Sequence, residues 1–228
     1  MMNIKPSSTA REQSSTEQNL SVQNLPVLPP MEDDHGEHLP GKPWGDELAL
    51  WYVNNYGEHP VNAFAIELAD LKGSETLLDI GCGSGAAVRA AAEKNTTGRN
   101  IGLDPSPAMI RIAREQSQDH PASSRMEFIQ SGAEDIPLAP ESVDVAIAVN
   151  SLHHWPDMSE GLSEVARVLK HQGRLILIEE IFTEQDRGMR PGEVIELLKS
   201  SAFTLQEYST RQCDDIQVNV FFAQPKEE

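Results

Sequence analysis

The segment Leu77-Leu78-Asp79-Ile80-Gly81-Cys82-Gly83-Ser84-Gly85-Ala86 constrains this chain more than any other. An apolar strand candidate, Thr76–Ile80, runs into a glycine-rich turn, and the turn opens the helical stretch Ala86–Lys94. Glycines in such a turn permit positive φ and let backbone approach a ligand closely, while the free N–H groups of the helix start point into the gap. Read as Gly81-x-Gly83-x-x-Ala86, the turn also satisfies the dinucleotide fingerprint, so the glycines alone do not choose between nucleotide classes. Asp79 shifts the balance. A carboxylate two residues before the first glycine would repel a pyrophosphate, whereas it suits a ligand carrying an ammonium or sulfonium charge.

A second carboxylate stands nineteen residues after Gly85, in Ile101-Gly102-Leu103-Asp104. It falls at the carboxyl end of the next strand, over the same crevice, where an acid accepts both hydroxyls of a ribose. The bland alternative is a helix cap in front of Pro105-Ser106-Pro107.

Around these two signals, strands and helices alternate. Asn100–Asp104, Met126–Gln130, Val143–Val149 and Arg174–Ile181 read as further strands, with helices over Ser106–Gln116 and Asp157–Lys170. Val143–Val149 is almost continuously apolar, as a strand covered on both faces must be. The stretch between Gln130 and Val143 is short and holds a proline, so it predicts a loop or a single turn. A last helix, Pro191–Ser200, precedes two strands, Thr204–Ser209 and Gln217–Ala223, whose short connection makes them a hairpin and the final strand antiparallel. The expected fold is α/β: a doubly wound, Rossmann-like, mostly parallel seven-stranded sheet with an antiparallel last strand.

Residues 1–40 predict a disordered, acidic, proline-containing tail, with too few apolar side chains to offset ordering entropy. The Glu32–His38 run sets its acids and histidines almost consecutively, which fits a solvated linker and not a metal site. The domain is expected over 41–228, and 41–72 forms an N-terminal helical cap in which Trp44, Leu48, Trp51, Tyr52, Val53 and Tyr56 recur at helical spacing. The Trp and Tyr side chains there read first as core packing. The 228 residues carry 18 Lys+Arg against 36 Asp+Glu, a net charge of −18 that disfavours nucleic acid and anionic lipid. Two cysteines fit a reducing cytoplasm and exclude a disulfide scaffold. No apolar run reaches the roughly 18–20 residues that span a bilayer, so no membrane insertion is expected.

The residues Leu77–Gly85, Ile101–Ile110, Ser131–Leu138, Ser142–Trp155 and Glu164–Glu179 together resemble the class I S-adenosylmethionine-dependent methyltransferases, particularly the small-molecule branch related to the ubiquinone/menaquinone C-methyltransferases. The resemblance implies S-adenosylmethionine as cofactor and a small-molecule methyl acceptor. It places Gly81, Cys82, Gly83 and Gly85 under the methionine and ribose, Asp79 near the amino end, and Asp104 on the ribose hydroxyls. It sets Pro105, Ser106 and Met109 on one side of the adenine, with Gly132, Ala133 and Glu134 on the other, and gives Asn150 a backbone contact to the methionine. Two positions depart from the family: Gly132 stands where an Asp often bonds the adenine amino group, and His171-Gln172-Gly173 replaces the usual Pro-Gly-Gly turn.

Methyl transfer needs a base only when the acceptor carries a proton of high pKa. His153 and His154, after the fourth strand, and Glu179 and Glu180, near the end of the fifth, are the candidates, against a structural role for each. The acceptor pocket would be roofed by Trp44, Trp51, Tyr52, Tyr56 and Trp155, which suits an apolar or aromatic molecule. Two other readings stand beside the enzyme: a non-catalytic protein that binds the donor or its product, and a nicotinamide-dependent reductase. Asp79 and the reversed terminal hairpin count against the reductase.

Overall fold

The computed structural model describes residues 44–181 and 188–226, so the expectations for 1–40 lie outside the described residues. Its strands are β1 (Thr76–Ile80), β2 (Arg99–Asp104), β3 (Met126–Gln130), β4 (Val143–Val149), β5 (Leu169–Glu180), β6 (Phe203–Cys213) and β7 (Ile216–Pro225). The helices are α1 (Asp46–Tyr56), α2 (Pro60–Ala69), α3 (Ala86–Lys94), α4 (Pro107–Ser117), α5 (Met158–Val168) and α6 (Pro191–Ser200). They build one seven-stranded sheet in the order β3-β2-β1-β4-β5-β7-β6. The first five strands pair in parallel, and β7 runs antiparallel to both β5 and β6. The strand order reverses between β1 and β4, which opens a crevice at their carboxyl ends.

Side-chain alternation along the strands loads both faces of the sheet with apolar groups. In β4, Val145 and Ile147 pack with Ala65 and Ile66 of α2 and Ala87 and Ala91 of α3. Ala146 and Ala148 turn the other way, toward Leu162 and Val165 of α5 and Leu198 of α6. Each fully buried Leu, Ile or Val in these layers contributes about 1.5–3 kcal/mol. Local chemistry agrees with this packing. Ser106 caps α4 by accepting the Met109 N–H at 3.3 Å, with Pro107 behind it. Asp157 caps α5 by accepting the N–H groups of Ser159 and Glu160, each at 3.0 Å.

The structure corrects two boundaries. The helix expected to reach Lys170 stops at Val168, and β5 begins at Leu169, five residues before Arg174. Buried Leu169 is extended and pairs with Val143, and the register then jumps to Val145 against Arg174. The expected turn at His171-Gln172-Gly173 is therefore a bulge within a strand. Asp144 fixes it, accepting the Lys170 ammonium at 2.7 Å and the Thr76 N–H at 2.8 Å. The terminal hairpin also runs longer than expected, down to a two-residue connection at Asp214-Asp215 with Asp214 at φ +50°.

Candidate active site

The carboxyl ends of β1, β2 and β4 floor a cleft of about 1070 Å³, counted out to its open mouth. From β1 come Ile80 and the turn Gly81–Ser84, from β2 Asp104–Ser106, and from the segment after β3 Ser131–Glu134. Val149, Asn150 and Ser151 end β4, and His154–Pro156 follow on the next turn. Trp44, Tyr52, Tyr56, Asn62 and Met109 complete the wall from the helices.

The turn after β1 is held by its neighbour. The Gly81 and Cys82 N–H groups both donate to the Leu103 carbonyl, at 2.8 and 2.9 Å. Gly81 has φ +78°, and a Cβ there would stand 2.5 Å from the Ser151 Cβ. Ser151 is fixed in turn by its hydroxyl, which donates to the Ile80 carbonyl at 2.6 Å. Gly83 differs: φ is +51°, and a Cβ there would meet nothing within 4 Å. The backbone at Gly83 thus presents bare surface to the cleft.

Asp104 joins the turn to the next helix. Its Oδ2 accepts the Gly83 N–H at 3.0 Å and its Oδ1 accepts the Ser106 N–H at 2.8 Å. Burial pushes its carboxyl up to about 6, although these two N–H donors pull the other way. Asp79 lies behind the turn, in register with Gly102 and Ile147 inside the sheet. Burial, aided by the Asp104 charge, pushes Asp79 up to about 8. Burial raises the Cys82 thiol well above its ordinary value, with Asp104 and Asp79 adding to the effect, which removes it as a nucleophile at neutral pH.

Over the turn sits α1. The Ser106 hydroxyl donates to the Trp44 carbonyl at 2.8 Å, and the Ser84 hydroxyl donates to the Gly57 carbonyl at 3.1 Å. These bonds hold the two ends of α1 across the cleft. Its aromatic side chains form a belt, with Trp44 and Tyr52 at 4.7 Å between ring centres and Tyr52 and Tyr56 at 5.3 Å. Tyr52 is pushed above its ordinary phenol range by burial first, then by Glu180, Tyr56 and Asp104.

Of the residues singled out in the sequence, Gly81, Cys82, Gly83, Asp104, Pro105, Ser106, Met109, Gly132, Ala133, Glu134, Asn150 and His154 line the cleft. Six others stand outside its wall, Glu180 at the end of β5 among them. Asp79 is within the sheet, and Gly85 lies under the Phe128 ring, where a Cβ would come 2.7 Å from Cε1. His153 and Glu179 pair with each other beside the cleft, at 2.7 Å. Trp51, expected in the roof, also lies outside the wall and packs edge-on against Tyr56, with ring centres 5.9 Å apart. Tyr52 lines the cleft and also packs on the buried cluster of Ala49, Ala108, Met109 and Ile112, as the core reading expects, whereas Tyr56 lines the cleft and is exposed.

Sequence reasoning missed Asn62, Ser84, Ser131 and Ser151 as wall residues. Ser84 and Ser151 carry one signal, a small hydroxyl next to a turn, which is common elsewhere. Asn150 carries a clearer one: it has φ +50°, and its side-chain oxygen accepts the Glu180 N–H at 2.8 Å, tying the ends of β4 and β5 together. Among the described residues, no cluster of three or more His, Cys, Asp or Glu is arranged to hold a metal ion, and no helix is long and apolar enough to cross a membrane.

Comparison with known proteins adds the family. Residues 78–177 match a methyltransferase domain. A ubiquinone/menaquinone biosynthesis C-methyltransferase of Campylobacter jejuni is 33% identical over 125 residues, covering 52% of this chain and 49% of that protein. The 27-O-demethylrifamycin SV methyltransferase of Amycolatopsis mediterranei is 30% identical over 158 residues, 68% of this chain and 55% of that one. The chain spans about half the length of the curated relatives it matches. In fold it is similar to an S-adenosylmethionine-dependent methyltransferase from Aquifex aeolicus, with a TM-score of 0.68 at 19% identity over 80% of this chain and all of that one. The glycine turn and the acid after β2 fall within the matched region, and these residues, 78–177, belong to the class I S-adenosylmethionine-dependent methyltransferases, whose cofactor is S-adenosylmethionine.

Proposed function

We propose that the chain binds S-adenosylmethionine in this cleft and transfers its methyl group to a small-molecule acceptor. The observation that carries the reading is Asp104, a buried carboxylate in the cleft wall, set beside the bare backbone of Gly83. These groups fit the donor. Asp104 would accept the ribose hydroxyls, and Gly81–Gly83 would lie under the ribose and methionine. Pro105, Ser106 and Met109 would flank the adenine on one side, with Gly132, Ala133 and Glu134 on the other. The Asn150 backbone would meet the methionine group, with Asp79 behind the turn and held protonated in the protein without donor.

When bound, the donor supplies a methyl carbon already activated by a sulfonium. The chain's own contribution is then alignment and exclusion of water, which in well-oriented systems is worth roughly 7–11 kcal/mol. Trp44 just before α1, Tyr52 and Tyr56 on it, and Trp155 on the opposite segment supply apolar walls for the acceptor. An apolar or aromatic small molecule suits them. The net charge of −18 argues against a phosphate backbone as partner, and two buried free cysteines accord with the reducing cytoplasm.

The test is a radiolabelled-methyl screen. Protein and labelled S-adenosylmethionine are incubated with a fractionated metabolite extract, and label is expected in a low-molecular-mass product. Tight binding of the donor with no labelled product in any fraction would instead support a binding protein.

A further inference from the structure

β6 closes one side of the sheet, paired with β7 and with no other strand among the described residues. A free strand edge presents a row of unpaired N–H and C=O groups, and proteins blunt such edges with short strands, lysine, proline, bulges or a cover. This edge is eleven residues long and holds neither lysine nor proline. Its one irregularity falls between Leu205 and Glu207, so residues 207–213 pair regularly with β7 on one side only. Tyr208, in the middle of that run, is a large side chain left 39% exposed. Alternation puts Glu207, Ser209 and Arg211 on one face of the strand and Tyr208 and Thr210 on the other. Arg211 donates to Glu207 at 2.8 Å, and Tyr208 stacks on Phe221 with ring centres 4.9 Å apart. Opposite charges thus stand two residues to either side of Ser209. The ends of the strand differ in the same sense. Its hairpin connection is Asp214-Asp215, whereas Lys226 bonds through its N–H to the Ala202 carbonyl at the strand's start.

We propose that β6 is the pairing edge of a homodimer, in which two copies of the chain join antiparallel about a two-fold axis at Ser209. A second copy is the occupant because the edge is complementary to itself. Centred on Ser209, the pairing sets Glu207 of each copy against Arg211 of the other, on the same face of the joined sheet. On the opposite face, Tyr208 meets Thr210 of the other copy, which makes the two Tyr208 rings diagonal neighbours that cover each other. The acidic hairpin connection of one copy then falls beside the Lys226 end of the other. A centre one residue away, at Tyr208, would set Glu207 against Ser209 and lose both ion pairs. The charges therefore fix the register, while the backbone bonds and the covered rings hold the copies together. Such an interface is isologous and closes at two copies. The net charge of −18 on each chain opposes association, so the alternation of sign along this edge is what allows the approach. β5 and β7 separate β6 from β4, so the pairing leaves the cleft free in both copies.

The experiment is sedimentation of the full chain over a range of concentrations, in wild type, Glu207→Arg and Arg211→Glu, with far-UV spectra to confirm that each variant folds. Wild type is expected as a concentration-dependent dimer. Either reversal sets like charges against each other twice across the axis and should weaken dimerisation at least about tenfold. An equimolar mixture of the two variants should dimerise again, because each copy then faces the opposite charge. The mixture separates the contact between copies from the Arg211–Glu207 pair within one strand, which both variants lose and mixing cannot restore. The register is read by cross-linking. Ser209→Cys, on the axis, should form an inter-chain disulfide with copper phenanthroline as oxidant, whereas Gln212→Cys, far from its own counterpart in this register, should not. The native Cys82 and Cys213 are buried, and wild type gives the background. A wild-type chain that is monomeric at every concentration overturns the proposal, and slow hydrogen exchange along β6 in that monomer would assign the edge to another segment of the same chain. A dimer that neither reversal weakens, a mixture that does not recover, or cross-linking at Gln212→Cys in preference to Ser209→Cys also overturns it.

Discussion

Replacing Asp79 with asparagine should stabilise the protein without ligand at neutral and alkaline pH, and hardly at all near pH 4. Asp79 is 2% exposed, and its proton is held up to about 8, by burial first and by the Asp104 charge second. In the unfolded chain the same carboxyl has its ordinary pKa of 3.8. Between those values the folded state binds more proton than the unfolded state, so this group's contribution to stability is fully present below the unfolded pKa and is lost as pH rises through the folded one. Each pH unit of that window is worth about 1.4 kcal/mol, which gives an upper bound on the order of 5 kcal/mol by about pH 8. Asp104, raised to about 6, adds a smaller loss of the same sign. Asparagine keeps the shape and removes the charge. The assay is urea unfolding of wild type and Asp79→Asn from pH 4.5 to 8.5, read as the difference between the two, so that the other acids cancel. The difference should widen in favour of Asp79→Asn as pH rises. A constant difference across the range, or one that widens the other way, would show that Asp79 is not a buried carboxyl held protonated.

Two further outcomes follow from the geometry. Gly83→Val should reduce S-adenosylhomocysteine affinity at least about tenfold and leave the far-UV spectrum intact, since φ +51° strains a β-branched residue by about 1–2 kcal/mol and its bulk fills open cleft; wild-type affinity would mean that the turn does not cradle the ligand. Arg167 donates to the Ile136 and Leu138 carbonyls at 2.8 and 2.9 Å and pairs with Glu164, holding the segment that carries Gly132–Glu134. Arg167→Ala should therefore lower the urea-derived stability by about 1–2 kcal/mol, and an unchanged midpoint would contradict that role.

The sheet was largely legible because buried parallel strands are written as apolar runs, and β1 and β4 start and stop where those runs do. Local chemistry also placed the starts of α4 and α5, where Ser106 and Asp157 cap them. The start of β5 was not legible. His171 and Gln172 are polar and exposed, and only the pairing of Leu169 with Val143 keeps that stretch in the sheet. In the site, residues contiguous with the glycine turn and the β2 acid could be read off directly. Asp79 could not be placed, because strand alternation decides whether a residue meets the ligand or the sheet interior. The pairing of Glu179 with His153 was equally hidden: 26 residues separate them, and only the adjacency of β4 and β5 brings them together.

The central claim is that Asp104 holds the ribose of the donor. Its most direct test is a calorimetric cycle with S-adenosylhomocysteine and its 2′-deoxyribosyl analogue against wild type and Asp104→Ala. Losing hydrogen bonds to a charged group costs about 1.5–3 kcal/mol, so Asp104→Ala should weaken S-adenosylhomocysteine roughly 10- to 150-fold. Wild type should discriminate against the deoxy analogue, and Asp104→Ala should lose most of that discrimination, because no carboxylate remains for the missing hydroxyl to abandon. Equal losses from the deoxy analogue in both proteins would contradict the assignment and reduce Asp104 to a brace between the Gly83 turn and the start of α4.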